Sequence, residues 1–293
     1  DLLELFKNID GFIPKKGYIF IDEINKLDGW AEKIKIIIDK YEYNLILSGS
    51  SSINLKKSKF ILARRAKYIH LKPLSFREFL GIKYNYIVEK NILNQDSFNY
   101  ELQFKKQITE NPVLLVENYL DNSLPFLFNA DSSMVSDLVN KIIFDDISID
   151  YNFKSEILNK FERLIFLLAG SNKITYENIS KDLGISKGTV GDMLNALCES
   201  DLIKVVLPYG TTKNVARKEW RYFFNVPYIR KVYAKKIGLE KSDLNGLLYE
   251  DLFVLNVEDI YFLTTGPDFV YNNMLFEIGI KNKNYSQLLK SQY

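Results

Sequence analysis

The 293-residue sequence has one cysteine, Cys198, and one histidine, His70. That scarcity removes a disulfide framework, a multi-cysteine zinc site, Cys/His nucleophilic catalysis and most transition-metal sites. Cys198 lies near Leu194 and Leu197 and reads as a small buried apolar residue; His70, set among apolar residues, reads as structural. No apolar run approaches the roughly 18 residues that span a bilayer, and no signal peptide opens the chain. Neither sign of charge dominates: 39 Lys and Arg stand against 37 Asp and Glu, so any basic surface for nucleic acid has to be local. One motif is also missing. Nowhere does the chain contain G-x-x-x-x-G-K-[ST], the loop whose backbone amides cradle nucleotide phosphates.

What is present suffices for a folded protein. The chain is 47% hydrophobic and 26% charged, which supplies a core and excludes general disorder, and its length accommodates two or three domains. This composition is that of an intracellular protein, expected in the cytoplasm.

The run Tyr18-Ile19-Phe20-Ile21-Asp22-Glu23 is four apolar residues followed by two carboxylates. Such a run fits a parallel strand covered by helices on both faces, with its carboxyl end opening onto the ligand crevice of an α/β sheet. There Asp22 accepts hydrogen bonds from magnesium-bound water and Glu23 orients the attacking water, as in a Walker B element. A core strand leading into an acidic helix N-terminus is the alternative. The next segment favours the first reading. A helix-length stretch, Trp30 to Tyr41, leads into the strand Leu45 to Ser48 and a Gly/Ser turn, giving β-α-β order. Ser48 or Ser50 at that strand tip is placed to sense a γ-phosphate.

The series FIDEI, Trp30, LSGSSS, Arg65 eight residues before Pro73, and PLSFREFL (Pro73 to Leu80) resembles one group of prokaryotic AAA-type ATPases. These are the archaeal-ATPase-like proteins that carry a C-terminal winged helix and a nuclease-like domain. The resemblance implies an α/β multidomain protein: an ATPase core remnant at 1–80, a helical lid at 81–153, a winged helix-turn-helix at 154–224 and a small α/β nuclease-like domain at 225–293. It matches Asp22 and Glu23 to Walker B, Ser50 to the sensor region and Arg65 to the Arg of a G-R pair that contacts phosphate. Arg64 stands where the group has Gly; a salt bridge is the alternative role for Arg65. The chain opens at Asp1 shortly before a strand that lies deep inside an ATPase fold. We therefore expect the N-terminal strand, phosphate loop and first helix to lie outside it. ATP and Mg2+ are then cofactors only when that loop is supplied; the expected partner is a missing N-terminal segment or a second copy in a homo-oligomer. Hydrolysis by the chain alone is not expected.

Beyond Leu80 the sequence turns helical and polar, with a break at Asn111-Pro112; only Pro125 remains of a G-G-x-P turn that relatives carry. From Lys154 to Leu207 the spacing predicts three helices, Glu156–Ala169, Tyr176–Leu183 and Lys187–Ser200, with Gly184 as a stop and Ser186 as an N-cap. A strand Ile203–Leu207, a turn at Pro208-Tyr209-Gly210 and a return over Trp220–Phe224 complete a winged-helix pattern. Its third helix offers Lys187 for DNA, and the wing offers Lys213, Arg217, Lys218 and Arg221. DNA binding is expected to be weak, non-specific and carried by the wing. An alternative is a winged helix that packs on its neighbours without touching nucleic acid.

The last segment, with a helix from Gly246, a hairpin turning at Asn272-Asn273 and a strand Leu275–Lys281, resembles the PD-(D/E)-x-K nuclease core. That resemblance gives Asp268 and Glu277 to a magnesium ion, with Glu250 in support. The usual Lys position, two residues after the Glu, is Gly279. Lys281 lies on the same strand face but about 7 Å further along, at about 3.3 Å per residue. We therefore expect a nuclease-like site that is inactive or nearly so.

Overall fold

The computed structural model describes residues 1–49, 55, 58–86, 106, 108, 110–123, 133–210 and 220–279. It is a mixed α/β protein of two compact units, one comprising Asp1–Leu71 with Ile142–Phe153, the other Lys72–Lys141 with Lys154–Tyr293. Among the described residues no helix is long and apolar enough to cross a membrane.

In the first unit, helix α1 (Leu2–Ile9) is capped by the Asp1 side chain on Leu3 N–H. Strand β1 (Tyr18–Ile21), helix α2 (Trp30–Lys40) and strand β2 (Asn44–Leu47) follow in the expected β-α-β order. The two strands are parallel, with Tyr18 opposite Asn44 and Ile21 opposite Leu47, so both carboxyl ends lie on one edge. Ile19, Ile21, Leu45 and Leu47 face a core of Phe6, Ile24, Trp30, Ile34 and Ile37. The opposite face departs from the expectation of a strand covered on both sides. Tyr18 is 68% exposed, Phe20 72% and Ile46 46%. Among the described residues α1 and α2 pack on one face, so the apolar run alternates in burial rather than being buried throughout.

In the second unit, α3 (Phe76–Tyr84) opens on a reciprocal capping box, Ser75 with Glu78, and α4 (Pro112–Asp121) on an Asn111 cap with Pro at its first position. They build a core of Phe79, Leu80, Leu115 and Tyr119. After α5 (Ser133–Lys141), the expected first helix of the 154–207 pattern splits into a turn at Ser155–Leu158 and α6 (Phe161–Gly170). Then α7 (Tyr176–Leu183) stops at Gly184, whose φ is 62°, and α8 (Lys187–Glu199) starts from the Ser186 cap.

Strand β3 (Ile203–Pro208) pairs antiparallel with β4 (Arg221–Phe224); the wing residues Lys213, Arg217 and Lys218 lie outside the described residues. Helices α9 (Pro227–Lys236) and α10 (Lys241–Asn256) lead to β5 (Tyr261–Phe262), β6 (Phe269–Tyr271) and β7 (Met274–Phe276). The β6–β7 turn has positive φ at Asn272 and Asn273, 48° and 61°, which suits the favoured two-residue hairpin. β5 pairs parallel with β3, so among the described residues one five-stranded sheet runs β4-β3-β5-β6-β7 across positions 224 and 225. α10 begins five residues before Gly246. It is apolar on two sides, giving Leu252 and Leu255 to the α3–α4 core and Phe253 and Val254 to the sheet core. The expected strand after the turn ends at Phe276, so Glu277 lies one residue past β7. Lys281 and Pro125 fall outside the described residues. His70 is exposed and Cys198 half-buried, so neither sits in a core.

Candidate functional sites

At the carboxyl edge of β1 and β2 the register sets Asp22 beside Ser48. Ser48 Oγ donates a hydrogen bond to Asp22 Oδ1, which also accepts the Glu23 N–H at 3.0 Å. Ser48 N–H donates to Ile21 O at 2.9 Å and Ile24 N–H to Ser48 O at 3.0 Å, extending the ladder one residue past the strands. Glu23 turns the chain in the left-handed region, φ 53°, and its carboxylate lies 3.8 Å from Lys26. Left-handed backbone at a non-glycine residue is uncommon and is held by the surrounding ladder.

Behind this edge the Asn25 Oδ1 atom is buried without a hydrogen-bond partner among the described residues. Gly49 packs directly on it: a Cβ there would fall inside contact distance of Asn25 Oδ1 and 3.3 Å from Leu55 Cδ1. Asn25, two residues after the carboxylates, carries no signal in the sequence until the Gly49 turn folds over it. Ser50 lies outside the described residues.

Arg65 has the partner that the salt-bridge reading gives it. Nε donates to Asp39 Oδ1 at 2.8 Å and Nη2 to Asp39 Oδ2 at 3.1 Å, a two-pronged pair with α2. The guanidinium holds Asp39 below the usual carboxylate range, and Asp39 raises Arg65 in turn. Arg64, which stands in the glycine's place, has φ 66°, so the left-handed turn is kept despite its side chain.

The second cluster lies in the C-terminal unit. Phe269 pairs with Phe276 across the hairpin, and extending that register by one sets Asp268 opposite Glu277. Directly opposed residues of an antiparallel pair share a face. Asp268 Oδ2 accepts the Ile278 N–H at 3.0 Å. From α10, Glu250 accepts a hydrogen bond from Asn172 Nδ2 at 3.0 Å. Burial raises its pKa, Asn172 lowers it, and the charge of Asp268 raises it further. Asp268 and Glu277 thus oppose each other at the open end of the hairpin, and the charge of Asp268 bears on Glu250. Among the described residues no group of three or more His, Cys, Asp or Glu is arranged to hold a metal ion.

Arg221 differs from the expectation of an exposed wing cation. Its side chain is partly buried: the guanidinium lies 4.3 Å from the centre of the Phe262 ring and Nη2 donates to Leu263 O at 3.4 Å. The cause is the added pairing of β3 with β5, which lays a third strand beside the hairpin and draws Arg221 across it. Lys187 remains exposed at the start of α8, 3.3 Å from Glu177.

Next to this cluster stands a buried pair with no counterpart in the sequence reading. Arg230 and Asp251 are both fully buried. Arg230 Nε donates to Asp251 Oδ2 at 2.5 Å and Nη2 to Oδ1 at 3.0 Å; Nη1 donates to Leu168 O at 2.7 Å and Ala169 O at 3.1 Å, and Nη2 also to Asn172 Oδ1. All five guanidinium N–H groups are thereby used. Burial pushes Asp251 up to about 6, against the pull of Arg230 and of the Phe224 N–H.

Residues 1–80 match the sequence model of a family described as an AAA domain. Over 320 aligned residues the chain is 28% identical to an uncharacterized protein of Methanocaldococcus jannaschii, covering 99% of this chain and 67% of that protein. Over 278 residues it is 25% identical to an uncharacterized protein of Haemophilus influenzae, covering 90% of this chain and 67% of that one. No solved structure matches the chain with comparable significance. Its N-terminal 80 residues are thus similar to an AAA-type, ATPase-like domain, and the chain along nearly its whole length is similar to uncharacterized proteins.

Proposed function

We propose that residues 1–80 form the acidic side of an ATP site, with Asp22 and Glu23 as its working carboxylates. The observation that carries this reading is the emergence of Asp22 and Ser48 side by side from parallel strands. That edge is where open α/β sheets take their ligands. The oxygen donors suit magnesium, which binds through one or two carboxylates plus substrate phosphates and keeps several waters. When bound, the ion neutralises charge on the phosphates. The residues do the rest. Ser48 and the Glu23 amide fix the Asp22 carboxylate by its Oδ1, which leaves Oδ2 for ion-bound water, and Glu23 orients the attacking water. Ser48 or Ser50 reads the γ-phosphate. Arg65 reaches phosphate only by leaving Asp39.

The 293 residues contain no phosphate-cradling loop, so they are proposed to turn over ATP only together with such a loop supplied from elsewhere. The test is ATP turnover by the 293-residue chain and by the same chain combined with a loop-bearing partner segment. The chain alone should show no turnover; the combination should bind ATP in Glu23→Gln but not hydrolyse it. Turnover by the chain alone that vanishes in Glu23→Gln overturns the proposal.

A second reading is supported by the succession of α6, α7, α8 and the β3–β4 hairpin, the arrangement of a winged helix. In this reading the C-terminal unit holds DNA weakly through backbone phosphates, using Lys187 and the cations of residues 211–219, and the nuclease-like cluster does not cleave. Replacing Arg217 and Lys218 with Ala should weaken binding to every duplex alike and flatten its salt dependence. Loss of binding to one sequence only, in Lys187→Ala, would make α8 the reader instead.

A further inference from the structure

We infer that the open side of the five-stranded sheet, at Tyr209, Trp220 and Tyr261, is a stacking surface for the unpaired bases of single-stranded nucleic acid. The inference rests on the nucleic-acid reading of the C-terminal unit and adds base faces to the backbone phosphates as the group recognised. The register tells the two sides of the sheet apart. Val206, Phe223, Phe262 and Phe269 turn into the core beneath α10. Leu207, one residue past Val206, therefore points to the other side. It is opposed by Tyr261 of β5. Val206 opposes Arg221, so the next step of that ladder sets Trp220 opposite Leu207. Opposed residues share a face. Tyr209 lies two residues after Leu207 and is held beside β5 by its N–H, which donates to Phe262 O at 2.8 Å. Its ring meets that of Tyr261 edge-on, with centroids 6.1 Å apart.

Trp220 is 37% exposed, and Tyr209 and Tyr261 are 40% exposed each. Tyr222, two residues along β4 on the same side, shows the contrast. It is buried, and its hydroxyl shares a hydrogen bond of 2.7 Å with that of Tyr176 on α7. The helices thus reach one part of this side and leave three large rings in water on the other. The chain between Gly210 and Trp220 carries Lys213, Arg217 and Lys218 against Glu219 alone. Arg221 adds nothing to that charge, because it lies over Phe262 on the core side. Open rings beside an excess of cations fit a partner that offers flat π-faces and regular negative charge. A single strand offers both. A duplex keeps its base faces stacked inside and presents its phosphates instead. An apolar partner gains nothing from the cations.

The experiment is binding of oligothymidylate, about 15 nucleotides long, to the 293-residue chain, against an abasic strand of equal length, oligouridylate and a blunt duplex. Oligothymidylate should bind at least about fivefold more tightly than the abasic strand, which has the same charge and no bases. It should also quench tryptophan fluorescence, since Trp220 is the open one of the two tryptophans and Trp30 is buried. Tyr209→Leu/Tyr261→Leu keeps apolar bulk without the rings; it should lose the preference for bases and leave duplex binding unchanged. Oligouridylate that matches oligothymidylate supports a surface for RNA and DNA alike, and weaker binding supports one for DNA. Equal affinity for the thymidylate and abasic strands, or none for either, overturns the inference without recourse to a variant. Duplex affinity judges the earlier reading separately: its absence, with the preference for bases intact, overturns duplex binding and leaves the stacking surface standing. A leucine variant that alters sedimentation and not strand affinity shows that this side meets a second copy of the chain, and also overturns the inference.

Discussion

Among the described residues the sheet of the N-terminal unit has two strands and an exposed apolar face, whereas that of the C-terminal unit has five strands with α10 packed on it. Both are built from the same aromatic and β-branched residues. In the first, Phe20 is 72% exposed; in the second, Phe269 is fully buried against Phe223 and Phe253. A two-stranded sheet is marginal in water, so the packing of α1 and α2 on it matters the more. The same contrast recurs in the charges. Arg65–Asp39 and Arg230–Asp251 are both two-pronged pairs, yet Arg65 lowers Asp39 while burial raises Asp251. One partner chemistry yields opposite shifts because desolvation outweighs attraction in the interior and not at the surface. The difference separates an exposed surface pair from a buried network that ties four elements together.

The largest effect expected is at the buried pair. Arg230→Ala should cost about 3–5 kcal/mol, because it strands the Asp251 charge and leaves the α6 carbonyls of Leu168 and Ala169 without their donors. Arg230→Met/Asp251→Leu should recover part of that loss, and denaturant unfolding of both variants measures the difference. Equal losses in the two would show that shape, not charge, dominates there. The two sheets can be compared directly. Phe269→Ala should cost about 3–5 kcal/mol and Phe20→Ala less than about 0.5 kcal/mol in the 293-residue chain. If Phe20→Ala becomes costly in a longer polypeptide, added residues cover that face.

How much of this was legible follows the range of the interactions. The β1–α2–β2 unit, the Ser75 and Ser186 caps, the Gly184 stop and the Asn272-Asn273 turn depend on neighbours a few residues apart, and all are written locally. The pairing of Leu207 with Tyr261 is not, since no local pattern specifies a partner so far along the chain. Charge alone points Arg221 outward. β4 is buried along most of its length and so lacks the alternation that would have shown which way its first residue points. Arg230 and Asp251 are separated by a helix boundary and look like ordinary surface charges until the fold buries them. At the N-terminal edge the carboxylates were legible by motif. The Ser48 hydrogen bond needed the register, and the Asn25–Gly49 contact needed the turn itself.

That contact gives the next effect in size. Gly49 has ordinary backbone angles, so its requirement is space rather than φ. Gly49→Ala should push Asn25 out of its site and cost about 1–3 kcal/mol, as overpacking does. Pairing it with Asn25→Ala should relieve the clash, so the double variant should be more stable than Gly49→Ala alone. A double variant that merely adds the two single costs would place the strain elsewhere, with Leu55 the remaining neighbour.

The smallest effect is at the exposed pair, and it tests the contrast in charges by its sign. Arg65 holds the folded-state pKa of Asp39 below the 3.8 of an unperturbed carboxyl. A carboxyl whose folded pKa is depressed contributes stability that is fully present above the unfolded value and lost as pH falls through the folded one. The unmodified chain should therefore melt slightly above Asp39→Asn at pH 5 and higher. The gap should close below pH about 4, where the unfolded Asp39 takes up its proton and the folded one follows. Both side chains are partly open to water, so added salt should also narrow the gap at pH 7. Melting curves from pH 2 to 8, at low and at high salt, measure both dependences. A gap that persists at pH 2 would mean that Asp39 stabilises by its hydrogen bonds to Arg65 rather than by its charge, and the surface pair would then resemble the buried one more closely than its exposure suggests.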